Sequence, residues 1–286
     1  GLLESFGGHA LAAGFTIRRE NIEPFKKLIN ELFRRYASGK VLEPILNVDC
    51  EIKDATVLTI ENVDSLRVLE PFGTCNPSPV FCVNDMEVLS AADVGGGKHL
   101  KLTLCKEGHN YDAIFFSNTA LGMGIAAGDV VDIAFCPGIN KFRGKNSVQL
   151  VVSDIRQNFV TRVKEEKEFA LYRKYSSGEN VTAEEAMELL PPRESFVAIW
   201  RYLKSHSDNG SVHGERTYLS RIIARVAGLP PNIVRFLICL DVFKEMELID
   251  MLEHGSKIYI KLRKINGKVD LNSSGIIKNL RLIAGG

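Results

Sequence analysis

The sequence predicts a multidomain α+β protein, in which a strand-rich barrel lies between an N-terminal α/β piece and a C-terminal helical domain. Three observations predict it. A chain of 286 residues is too long for one average domain. Its hydrophobic periodicity changes from mixed, to strand-like alternation between Val80 and Ile155, to helical spacing beyond. Clusters of Gly, Pro and Ser, "EPFGTCNPSPVF" at 70–81 and "SSGEN" at 176–180, punctuate the changes. Expected limits are 1–70 for the first piece, 71–79 for a junction, 80–157 for the barrel, 158–190 for linker helices and 191–286 for the last domain.

Within the first piece, Ile22, Phe25, Ile29, Leu32 and Tyr36 recur at three- and four-residue spacing, predicting an amphipathic helix over 22–36 with Asn21 as its cap. "ILNVDCEI" alternates through Leu46, Val48, Cys50 and Ile52, as a half-buried strand does. Residues 60–69 read as helix and stop before Pro71. In the barrel segment "KHLKLTLC" alternates through Leu100, Leu102 and Leu104, and "YDAIFF", "DVVDIAFCPGI" and "SVQLVVSDI" follow. "SNTALGMG" interrupts them as a short helical or loop insert. Four or five strands with one short helix before the fourth is the element order of an OB-type barrel, with a small sandwich as the competing reading. The charged stretch "TRVKEEKEFALYRKY" is expected to be a solvated connecting helix. Helices near 194–206, 215–227 and 231–246, then the strands "ELIDML" and "KIYIKL" around His254-Gly255, give the order of a winged-helix domain.

Composition narrows the class. Hydrophobic residues at 45% and charged residues at 25% fit a globular protein. No apolar run approaches the roughly 18 residues of a membrane helix, and no signal peptide is visible, so no membrane association is expected. The chain opens on Gly1 rather than Met, as a cut or processed chain would. Six dispersed cysteines without a C-x-x-C pair exclude a zinc-knuckle pattern and predict reduced thiols and a cytoplasmic location. Local charge is −2 over 1–79, −1 over 80–156 and +4 over 157–286, so any nucleic-acid site must be a local stripe.

Two stretches invite chemistry. In "ESFGGHALAAGF" (4–15), Gly7 and Gly8 stand beside His9. Glycines allow close backbone approach and can form an anion-binding nest, and a histidine can donate to a phosphate oxygen. The plainer reading is a glycine turn beside a surface histidine. "NKFRGK" places Lys141, Phe142, Arg143 and Lys145 at one expected hairpin tip, and Lys98, His99 and Lys101 flank another turn. With Leu100 and Leu102 facing the core, His99 and Lys101 share the opposite face. Single-strand binders combine such cations with stacking rings; ordinary loop charge is the alternative. Arg216, Arg221 and Arg225 recur on the helix at 215–227, as on a recognition helix or an exposed polar face. Trp200, among Phe196, Val197 and Leu203, reads as core.

"GLLESFGGHALAAGFTI" resembles the DHH-associated domain of the DHH phosphoesterase family, and "LEPFGTCNPSPVF" resembles the L-x-P-F-G-x-G-N-P-x-P-x-F junction of that family's RecJ branch, with Cys75 in place of a glycine. "HLKLTL", "DAIFF" and "INKFRG…VQL…DIR" are similar to the OB domain that follows the junction. "RESFVAIWRYLK" and "VDLNSSGIIKNL" resemble the extra C-terminal domain of the branch in Firmicutes. The resemblance implies a single-strand-specific 5′→3′ DNA exonuclease of recombination and repair, in which Gly7, Gly8 and His9 hold the scissile phosphate. The D-H-H motif and catalytic aspartates of the family are absent from this chain. The divalent metal (Mn or Mg) is therefore expected in a separate catalytic domain, with no cofactor here and no activity from this chain alone. Single-stranded DNA is the expected partner and a monomer the expected state. A non-catalytic module that docks a RecQ-type helicase or a single-strand-binding protein is the alternative, and a small-nucleotide phosphoesterase a third reading.

Overall fold

The computed structural model describes residues 1–9, 12–38, 45–142, 144–207, 210–264, 267 and 269–285, with Phe142 described by its backbone only. The chain divides into two units, Gly1–Asn47 and Val48–Gly286.

In the first unit, β1 (Leu3–His9) and β2 (Ala12–Ile17) form an antiparallel hairpin, followed by α1 (Ile22–Ala37). Phe15 of β2 packs on Phe25 of α1, ring centroids 4.9 Å apart. Asn21 stands at the cap position, but its side chain donates to Leu2 O at 3.1 Å instead of capping the helix.

The second unit opens with β3 (Cys50–Glu51), a short strand parallel to the start of β4 (Phe81–Val94). The longer strand expected from Leu46 onward is not formed: Leu46 and Val48 are exposed, and only the Cys50–Glu51 segment finds a ladder partner. Next, α2 (Ile60–Ser65) is capped by Thr59 and runs into a 3-10 turn ending at Leu69. Asn76 closes the junction by donating to Leu69 O and Pro71 O at 2.8 and 3.0 Å.

Five strands then close a barrel: β4, β5 (His99–Lys106), β6 (His109–Phe116), β7 (Val130–Phe142) and β8 (Lys145–Gln157). The order is β4-β5-β6-β8-β7, and β7 pairs back onto β4. The β6–β8 pairing is parallel and the other barrel ladders are antiparallel. The insert forms α3 (Ala120–Met123), between the third and fourth barrel strands. This is an OB barrel, which settles the choice against a sandwich. Leu100, Leu102 and Leu104 are fully buried in its interior with Phe135, Leu150 and Met86, as their alternation requires.

The remaining helices and strands share one core. They are α4 (Phe159–Ser176), α5 (Ala183–Leu189), α6 (Arg193–His206), β9 (Ser211–Glu215), α7 (Arg216–Val226), α8 (Ile233–Glu245), β10 (Ile249–His254), β11 (Lys257–Leu262) and α9 (Gly275–Ile283). The sheet order β10-β11-β9, with α7 and α8 between β9 and β10, is a winged-helix arrangement. The charged α4 is not merely solvated: Phe169, Leu171, Tyr172 and Tyr175 pack on this core. Its buried Glu168 accepts from the Ile233 N–H at 2.8 Å, at the start of α8. Trp200 packs against Phe243 at 5.4 Å, as a core residue should.

Candidate nucleic-acid interface

Alternation along β5 sets the outer face that it shares with β6. Residues between the buried leucines of β5 point away from the core: His99 is half-buried and Lys101 exposed. The β4–β5 turn that precedes them carries Gly95, Gly96 and Gly97 with φ of 62°, 71° and 80°. These left-handed angles suit glycine alone without strain, and a Cβ on Gly95 would sit 3.0 Å from the His99 ring. Lys98, at the end of this turn, is exposed.

Across the ladder, His99 pairs with Phe116. Their rings meet edge to face, centroids 5.2 Å apart and planes at 80°. Phe116 remains 52% exposed although it ends an otherwise buried run. The Ser117 N–H donates to His99 Nδ1 at 3.0 Å, which leaves Nε2 as the donor nitrogen of the neutral ring. Sequence reasoning missed Phe116, because "YDAIFF" reads as a continuous buried strand; its place at the last outward position of β6 was the available signal.

The second predicted cluster lies at the other end of the same face. Asp112 pairs with Gln149 and Ile114 with Val151 in the parallel ladder. Lys145 precedes Gln149 by as many residues as Gly108 precedes Asp112, so the β7–β8 tip is level with the β5–β6 turn. Lys98, His99 and Phe116 stand at the opposite end, about eight residues or roughly 26 Å away along the strands. Lys141 and Lys145 are exposed at the tip. Arg143 and the Phe142 side chain lie outside the described residues. Lys141 also lines a cleft with Arg67 and Phe72. Between the two ends run Lys101, Thr103, Gln149 and the exposed carboxylate of Asp112.

The other predicted site residues are used differently. Gly7, Gly8 and His9 are in extended backbone within the β1–β2 hairpin, opposite Gly14, Ala13 and Ala12, so they form a ladder and not a nest. A Cβ at Gly8 would come within 2.6 Å of Ala12 O, so the second glycine is required by close approach across the hairpin.

The three arginines of α7 are neither a recognition row nor a solvated face. Arg221 is buried; its Nη2 donates to Gly124 O at 2.7 Å and its guanidinium pairs with Glu165 of α4. Its Nε stands 3.2 Å from Asp129 Oδ1 without the alignment to donate. Arg225 pairs with the same Asp129 oxygen at 2.5 Å and donates to Ala127 O at 2.9 Å. Arg216 lies over the Phe169 ring at 4.2 Å. Two of these arginines thus bind the loop between α3 and β7, fastening the barrel to the winged-helix core. Burial pushes the Glu165 carboxyl above its ordinary range, although Arg221 opposes the shift.

Among the described residues no three His, Cys, Asp or Glu side chains gather as a metal site would need. No described helix is long and apolar enough to cross a membrane.

Residues 48–154 match the family described as the RecJ OB domain. The single-stranded-DNA-specific exonuclease RecJ of Bacillus subtilis (strain 168) is 29% identical over 156 residues, which are 54% of this chain and 20% of that protein. RecJ of Escherichia coli (strain K12) is 30% identical over 158 residues, 54% of this chain and 27% of that protein. A crystal structure of RecJ with Mn2+ from Thermus thermophilus aligns at 25% identity with a TM-score of 0.40, covering 55% of this chain and 22% of that one. The chain therefore matches about a fifth to a quarter of the length of these relatives. Residues 48–154 are thus the part of this chain that matches the RecJ OB domain, and it is through that segment that the chain is similar to the RecJ proteins.

Proposed function

We propose that this chain is the strand-guiding portion of a RecJ-type 5′→3′ exonuclease acting in DNA recombination and repair, and that its barrel holds single-stranded DNA. The observation that carries the reading is the exposed Phe116 braced by His99, with Lys101 on the same outer β5–β6 face and the exposed Lys98 in the turn that precedes β5. The face of these two strands, with the loops that flank it, is where OB folds bind oligonucleotides. Phe116 offers a ring for base stacking; Lys98, Lys101, Lys141 and Lys145 offer charge to phosphates. Arg143 and the Phe142 ring join them in this reading. Gly7, Gly8 and His9 would hold the scissile phosphate. The described residues gather no set of side chains that would hold a metal ion, and in this reading the divalent Mn or Mg is held by a catalytic domain outside this chain. A monomer in the cytoplasm is part of the same reading.

The test is anisotropy of a labelled oligothymidylate titrated with the chain at several salt concentrations. Log affinity should fall linearly with log salt, by roughly 0.7 per phosphate contact. Phe116→Ala should weaken binding by about 1–3 kcal/mol with little preference among bases. Unchanged affinity in Phe116→Ala and Lys101→Glu would remove the barrel face from the interface. Absence of oligonucleotide binding, with capture of a purified helicase or single-strand-binding protein, would make the chain a docking module instead.

A further inference from the structure

In groove-reading helix-turn-helix domains the second helix lies in the DNA groove. Here that helix, α8, is enclosed. Ile233, Val234, Phe236, Leu237, Ile238, Cys239, Leu240, Val242 and Phe243 are all buried. Tyr172 of α4 donates to Asp241 Oδ2 at 2.9 Å, Phe196 of α6 meets Phe243 at 5.8 Å, and Glu245 accepts from the Gly275 N–H of α9 at 2.9 Å. No continuous face of α8 remains for a duplex.

The outer face of the three-stranded sheet is open and has a different character. Its inner row, Val212, Ile258, Ile260, Ile249 and Met251, is buried in the core. The outer row places Leu252, Tyr259 and His213 side by side across the three strands. Tyr259 and His213 lie parallel, centroids 5.9 Å apart and planes 14° from coplanar. Tyr259 is 46% and Leu252 74% exposed. Lys257 and Lys261 flank Tyr259 on the same face of β11 and are both exposed. Neither is in an ion pair among the described residues, whereas the nearby Asp250 is already taken by Arg263 at 2.6 Å. The net charge of +4 over 157–286 favours an anionic partner.

We infer that this sheet face is a second contact surface for single-stranded nucleic acid. Tyr259 and His213 form a flat platform for bases, as exposed aromatics do on other sheet-based single-strand binders. Lys257 and Lys261 neutralise the phosphates on either side, and Leu252 extends the apolar floor. The inference extends the reading of the chain as a strand guide, but its evidence lies wholly in the C-terminal domain.

The experiment uses the full chain with a long iodouracil-substituted oligothymidylate, photo-cross-linked and mapped by peptide mass spectrometry. Adducts at Tyr259 or His213, persisting when the barrel carries Lys101→Glu and Phe116→Ala, are expected. Tyr259→Ala should lower affinity for this oligonucleotide about tenfold, the loss of one stacked base. Lys257→Glu with Lys261→Glu, which alter only exposed positions, should reduce the salt slope by roughly 1.4. Adducts confined to the barrel, with both sheet variants binding as the parent does, would overturn the inference and leave the barrel reading standing. Adducts on the sheet alone would support it while removing the barrel. Adducts on neither would sink both.

Discussion

Asp129 is the residue on which the second unit turns. Its side chain is almost wholly buried, and its two oxygens serve four groups. Oδ1 meets Arg221 and Arg225; Oδ2 accepts from the Ala126 N–H at 2.9 Å and from Gln157 Nε2 at 3.0 Å. A buried pair of this kind adds little over an apolar replacement of both partners, yet removing one partner strands the other charge. Asp129→Ala should therefore cost about 3–5 kcal/mol in urea unfolding, and Arg225→Ala, whose guanidinium is partly exposed, clearly less. Equal small losses would show that water reaches the guanidinium of Arg221. Glu168 makes a pH prediction. Burial raises its carboxyl above the ordinary value of 4.5, while the Ile233 N–H and Lys164 oppose the shift. The native state then binds this proton more tightly than the unfolded one, so the associated stability is present below about pH 4.5 and is lost as pH rises through the folded value. Glu168→Gln keeps an oxygen for the Ile233 N–H and removes the titration. The urea midpoint of the variant should decline less than the parent's between about pH 4.5 and 7; parallel curves would mean that Glu168 does not titrate in this window.

Elements differ in how far their sequences disclose them. Strand β5 was legible because Leu100, Leu102 and Leu104 alternate and the core accepts all three. The short α3 was legible from its interruption of strands, and the α6, α7 and α8 boundaries from helical spacing. Strand β9 was not, since "SVHGE" follows the glycine-bearing "SDNG" and pairs only with β11, distant in sequence. The arginines of α7 were misread for a related reason: a row of cations looks the same whether its carboxylates are solvent-borne or supplied by a loop ninety or more residues upstream. The Gly-Gly-His stretch reads in the sequence as an anion-binding nest or a glycine turn, and the alanines after it favour helix by propensity, yet the stretch forms a hairpin strand in which Gly8 pairs with Ala13. That pairing is testable by Gly8→Ala. The added methyl would meet the Ala12 carbonyl oxygen at 2.6 Å and the Ala13 Cα at 2.7 Å, both backbone atoms that cannot step aside. Amide exchange across β1 and β2 should quicken by at least an order of magnitude, about 1.4 kcal/mol of local stability, while the barrel amides keep their protection. Unchanged exchange in the hairpin would show that the strands separate to admit the methyl at little cost.

At the scale of the molecule, the barrel and the winged-helix core of the second unit share one joint. Arg221 and Arg225 reach from α7 to Gly124, Ala127 and Asp129, while Glu165 of α4 completes the charge balance around Arg221. Asn158, the cap of α4, donates to Asp85 Oδ1 at 2.8 Å and so ties the last barrel strand, the helix start and the bulge of β4 together. These contacts are directional and few, and the hydrophobic cores on either side are separate clusters. Coupling between the two cores then runs through this polar joint together with the packing of α3 on β9, not through a shared apolar core. In the parent, Trp200 fluorescence, which reports the C-terminal core, and the protection of β5 amides, which reports the barrel, should be lost together in urea. Arg221→Ala combined with Arg225→Ala removes the arginine contacts of the joint and leaves the buried Asp129 carboxylate with only the Ala126 N–H and Gln157 Nε2. The two probes should then separate, with the midpoint of one core falling below that of the other and the summed amplitude conserved. Separate transitions already present in the parent would show that the joint positions the two domains without coupling their stability.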